Sequence, residues 1–122
     1  MKQQSAVTNY MDVSAFSSRP AECVHHLVFG SGMRKLADED MLTIALTNSE
    51  HNASSKGTIN QIHGNPAAEM LSKIAGQLAY ERRYLAKKLA EVNEKGLDVQ
   101  SVDEWEEEAR ESFRKRYGRS YL

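Results

Sequence analysis

Residues 22–35 read ECVHHLVFGSGMRK: a lone cysteine, two adjacent histidines in a short apolar run, then Gly-Ser-Gly and a basic pair. The Val-, Leu- and Phe-rich part, CVHHLVF, predicts a strand, and GSG predicts a turn or loop. Beyond it, MLTIALT at 41–47 predicts a second strand, fed by the acidic run Asp38-Glu39-Asp40. Loop formers dominate TNSEHNASSKGTIN at 47–60, within which SEHNASS has room for one short helical turn.

A helix start is written into HGNPAAEML at 63–71. Asn65 is a suitable N-cap, Pro66 suits the first helical position, and Glu69 favours the positive end of the helix dipole. Leu71, Ile74, Leu78, Leu85, Leu89 and Val92 then give an apolar stripe, and Gly96 stands where a C-terminal glycine belongs. Thirty residues of helix reach about 45 Å, longer than a small core can cover. The surplus predicts packing on a second helix and a homodimer through what remains. The second helix is announced by Ser101 and Glu104, a capping box. Trp105, Ala109 and Phe113 share its face, with acids at its start and Arg114, Lys115 and Arg116 at its end. Upstream, residues 1–20 are Ser-, Gln- and Asn-rich and read as a flexible N-terminal arm, with local order near Tyr10 to Phe16.

With 122 residues and a net charge of −1, one soluble domain is expected, and global electrostatics supplies no pull toward nucleic acid. Residues 1–64 hold five Lys/Arg against six Asp/Glu, and residues 65–122 hold eleven of each. Any phosphate contact must therefore come from a local patch. The single cysteine excludes an internal disulfide and a cysteine-rich zinc site. No apolar run approaches the ~18 residues that span a bilayer, and the polar start is no signal peptide, so a cytoplasmic protein without a membrane partner is expected.

All four histidines precede the long helix: His25 and His26 on the first strand, His51 after the second, His63 just before the helix. Two strands and a helix can bring their ends together, so His25, His51 and His63 can converge. Three imidazoles suit a divalent transition metal and leave positions open for water and phosphate. The plain alternative is unrelated surface or hydrogen-bonded histidines. A regular strand also points His25 and His26 to opposite faces, so both serve one site only where the backbone twists or bulges.

The run ECVHHLVFGSGMRKLADEDMLTIALTNSEHN…IHGNPAAEML resembles the small phage-encoded HNH proteins of the ββα-metal nuclease group over roughly residues 19–80. The matching positions are Cys23, His25, His26, Arg34, Lys35, the strand Leu42 to Leu46, His51 and His63. This chain departs from the pattern in carrying Thr47 where a second cysteine often stands. Glu39-Asp40 replaces the usual asparagine, and twelve residues separate His51 from His63. Either Asn48 or Asn52 is left to fix the histidine-bearing loop.

The resemblance implies an α+β fold: a ββα-metal core at 21–80 and a helical extension at 81–122, comprising the rest of the long helix and the C-terminal helix. It also implies metal-dependent hydrolysis of DNA in a bacterial host cytoplasm. His25, His51 and His63 would bind one divalent ion (Mg²⁺, Mn²⁺, Ni²⁺ or Zn²⁺), and His26 would be the general base. Arg34, Lys35 and Lys56 would grip phosphate. The competing expectation is an inactive HNH-like binding protein. It would act as a phage counter-defence inhibitor, of anti-CRISPR or anti-restriction type, or as a DNA-processing accessory that docks a host or phage protein through its C-terminal helices. A third reading, a structural coiled coil, rests on the seven-residue spacing of Leu71, Leu78, Leu85 and Val92.

Overall fold

A computed structural model describes residues 4–51, 61–95 and 102–122. The chain is mixed α+β, with strands β1 (Cys23–His26) and β2 (Thr43–Leu46) and helices α1 (Met33–Glu39), α2 (Asn48–His51), α3 (Pro66–Lys95) and α4 (Val102–Tyr117). The strands pair antiparallel, with Cys23 opposite Leu46 and His26 opposite Thr43.

β1 is shorter than the apolar run predicted. After one more ladder bond, from the Leu27 N–H to the Leu42 carbonyl, the chain turns away, using positive φ angles at Gly30 and Gly32. Leu27 and Val28 leave the strand and enter the core instead. Past the turn predicted at GSG, where no helix was expected, Met33 to Glu39 are helical and bury Ala37. Its return to β2 passes through Met41 at φ 57°, a left-handed position for a non-glycine residue.

The core joins Leu27, Val28, Ala37, Leu42, Ile44, Leu46 and Ile62 to Phe113 and Tyr117 of α4. A boundary between residues 80 and 81, drawn from sequence, therefore runs through one packed cluster. The expected face of α4 is the buried one: Trp105, Ala109 and Phe113 are all covered, and Tyr117 extends it. Phe113 stacks on Tyr117 at 4.5 Å and meets Tyr80 of α3 edge-on at 5.4 Å. Arg116 and the Tyr117 hydroxyl both donate to Asp40, at 2.7 and 2.5 Å, tying α4 to the end of α1. Ser101 and Gly96 lie outside the described residues.

α3 begins as expected, with the Ala68 N–H donating to the Asn65 side chain at 3.3 Å. Its buried side is not the leucine stripe. Ser72, Gly76, Gln77, Glu81 and Val92 are covered, while Leu71, Leu78 and Leu89 are exposed. Gly76 is required where α3 crosses residues 27–28, because a Cβ there would sit 2.7 Å from the Val28 side chain. The polar residues are tolerated because each has partners. Gln77 donates to Glu81 and Ser120 and accepts from the Tyr121 N–H, and Arg110 reaches Glu81 at 3.4 Å.

Residues 4–20, expected as a flexible arm, lie against β2. The Ser5 hydroxyl donates to the Thr43 carbonyl, the Ala15 N–H to the Ala45 carbonyl, and Val13 bridges Pro20. Among the described residues no helix is long and apolar enough to cross a membrane.

Candidate metal centre

Three segments deliver one imidazole each. His25 comes from β1 and faces α3 with no exposed surface. His51 ends α2, and His63 sits in the turn before α3. The twelve-residue step between the last two is bridged by backbone pairing: the Ile62 N–H donates to the Glu50 carbonyl and the His63 N–H to the His51 carbonyl. Ring centroids stand 5.1, 5.1 and 4.7 Å apart, a nearly equilateral triangle. The ligand nitrogens lie within 4.8 Å of one another, close enough to hold a metal ion. A tetrahedral ion with ~2.1 Å bonds wants them about 3.4 Å apart, a difference that small ring rotations remove.

Hydrogen bonding fixes which nitrogen of His25 is bare. Ser72 donates its only hydroxyl proton to the Leu27 carbonyl at 2.7 Å, so it must accept from the His25 Nε2–H at 2.8 Å. Nδ1 is left with its lone pair, buried and without a hydrogen-bond partner. An orphaned buried acceptor is costly unless something takes it. On His63, Nδ1 lies 3.5 Å from the Glu69 carboxylate, which favours the proton there and the lone pair on Nε2.

Burial pushes the His25 pKa down to about 3, assisted by the neighbouring His51, His63 and His26. The His51 pKa is lowered by burial, then by His63, His26 and Arg34. These two rings are neutral near pH 7, the form that coordinates metal. Glu50 holds the His51 turn in place: its carboxylate accepts from the Ser14 hydroxyl at 2.5 Å and the Thr47 N–H at 2.9 Å. Burial opposes that charge, but the bonds from Ser14, Thr47 and Ser17 outweigh it and hold the Glu50 pKa well below the carboxylate range. Glu50 thus does the fixing expected of Asn48 or Asn52. Asn48 engages through its backbone N–H to Glu22, and Asn52 lies outside the described residues.

His26 is not in the triangle. The ladder of β1 runs without a bulge, so His26 faces away from His25, toward α1, and its Nε2 is 3.2 Å from the Asp38 carboxylate. His51 nonetheless borders both places. An open cleft of about 790 Å³ is lined by His26, His51, Arg34, Lys35, Asp38 and Cys23 among others. Two of the three expected phosphate contacts, Arg34 and Lys35, therefore stand beside the histidines, and Lys56 lies outside the described residues. Cys23 has a thiol pKa raised first by burial, and it points its sulfur at the Leu46 and Thr47 carbonyls.

Sequence reasoning missed Ser72, Glu50 and Asp38. Ser72 reaches His25 from 47 residues away and Ser14 reaches Glu50 from 36, contacts that no local spacing announces, whereas Thr47-Asn48-Ser49-Glu50 is a capping box that the sequence itself offers. No family model, no curated protein and no solved structure matches this chain.

Proposed function

We propose that the protein is a metal-dependent endonuclease of the HNH type, built on a ββα-metal core and acting on DNA in the cytoplasm of a phage-infected or lysogenic bacterium. The observation that carries this reading is the bare, buried Nδ1 of His25, one corner of a three-imidazole cluster beside a cleft lined by Arg34 and Lys35. His25, His51 and His63 would hold the ion, which when bound supplies Lewis-acid stabilisation of the phosphate and the leaving oxygen.

The remaining chemistry belongs to the cleft, which meets the triangle at His51, so that His26 would act on the same phosphate from the opposite face of β1 to His25. The Asp38 carboxylate can only accept, so it keeps the proton of His26 on Nε2 and leaves Nδ1 as the base. Water gives a proton to Nδ1 as its oxygen bonds to phosphorus. The bond from phosphorus to the 3′ oxygen breaks, and that oxygen takes a proton from solvent. Arg34 and Lys35 hold the flanking phosphates, offsetting a chain with no net positive charge.

Two measurements test this. Ni²⁺ or Zn²⁺ should raise the melting temperature of the parent and of His26→Ala, but not of His63→Ala. With Mg²⁺ or Mn²⁺ and supercoiled plasmid, His26→Ala should nick about 10²- to 10⁴-fold more slowly than the parent. A thermal shift without EDTA-sensitive nicking would replace the nuclease by the inactive, metal-clipped binding protein. The same shift after His63→Ala would remove the site itself.

A further inference from the structure

Two sides of α3 are occupied. Ser72 and Gly76 meet His25 and residues 27–28, while Gln77 meets the C-terminal segment and Glu81 meets α4. The third side faces solvent, and it carries the leucines: Leu71 is 65% exposed, Leu78 53% and Leu89 48%, with Leu85 half-buried. At ~100° per residue, Leu71, Ala75, Leu78, Arg82, Leu85 and Leu89 all fall within about 40° of one line along the helix. Arg82 is the only charge on that line. Val7 and the 71%-exposed Tyr10 widen the surface, because residues 5–10 share a cleft with Arg82, Arg83 and Ala86.

We infer that this face is covered by the same face of a second copy, running antiparallel about a two-fold axis at residue 80. The order of residues makes the strip its own complement. Leu71 falls opposite Leu89, the small Ala75 opposite the large Leu85, and Leu78 opposite Arg82, all about the same centre. The Arg82 stem lies over the partner's Leu78, and its guanidinium reaches water at the rim. A parallel pair would instead set Arg82 against itself and align the two helix dipoles. Such an isologous contact closes on two copies.

From Leu71 to Leu89 the strip is ~27 Å long, and one third of the circumference of a ~10 Å helix over that length is about 280 Å². Val7 and Tyr10 add to it, giving a small interface, below the ~800 Å² per partner of a standard one.

Sedimentation equilibrium on the full chain tests the pairing without reference to metal or DNA. The parent should be a dimer at ~100 µM, and Leu78→Glu should raise its dissociation constant at least ~100-fold while keeping its helical circular dichroism. Leu89→Glu is the second variant should the first fail to fold, since it alters the same line at another exposed position. A monomeric parent, or folded glutamate variants that still pair, would overturn the interface. The direction is read by cysteine crosslinking in a Cys23→Ser background. A mixture of Leu71→Cys and Leu89→Cys chains should join under oxidation and each alone should not. Leu71→Cys chains crosslinking by themselves would overturn the antiparallel arrangement.

Discussion

A single hydroxyl decides what His25 can do. Ser72 spends its proton on the Leu27 carbonyl and so keeps the proton of His25 on Nε2, with Nδ1 bare. The cost of that arrangement appears in acid. Folding holds the His25 pKa near 3, below the value of ~6.5 expected in the unfolded chain. Between those limits the unfolded state binds the proton and the folded state does not, so unfolding becomes easier as pH falls. The metal-free protein should lose stability below pH ~6.5 at roughly 1.4 kcal/mol per pH unit from His25 alone, with His51 steepening the slope. Urea denaturation of the EDTA-treated protein between pH 7 and 5 measures it, and His25→Phe should flatten the curve. A parent whose urea midpoint does not change over that range would contradict the burial assigned to this ring.

At the scale of elements, the crossing of α3 over residues 27–28 leaves least room. Gly76→Ala would place a methyl 2.7 Å from the Val28 side chain and 3.1 Å from Leu27 Cβ, both in the core. Overpacking of this kind typically costs about 1–3 kcal/mol, exceeding the ~1 kcal/mol that alanine gains over glycine in a helix. Thermal unfolding should therefore show a lower midpoint, where a surface glycine in a helix would show a higher one. The start of α3 and the Trp105–Phe113 face were legible in sequence because caps and four-residue spacings are local signals. The side of α3 that is buried was not. Periodicity locates an apolar stripe but assumes that it points inward, and here Gln77 and Glu81 are drawn in by Ser120, Tyr121 and Arg110. α1 escaped notice because it has only seven residues, follows directly on Gly32 and ends inside the acidic run at 38–40. That His25, His51 and His63 can converge was legible from their order along two strands and a helix, whereas Ser72 and Ser14 reach the cluster across the fold.

At the scale of the molecule, the sheet has two strands among the described residues, and such a small sheet leaves most of its backbone in need of cover. The carbonyls of Leu42 and Leu46 turn toward the β1 side, accepting from Leu27 and Glu22. Those of Thr43 and Ala45 alternate to the other edge of β2, where Ser5 and Ala15 meet them. The Ser14 hydroxyl, bound to Glu50, fastens the same N-terminal segment to the turn that carries His51. The segment is therefore an edge guard. β2 is buried along its whole length, with Ile44, Ala45 and Leu46 in sequence, and an uncovered strand of that composition is a template for adding further chains. Deleting residues 1–20 should turn a clear solution into one that scatters light and binds thioflavin within hours at 37 °C, while the intact chain stays clear. If the shortened chain stays equally clear, the edge does not need its guard.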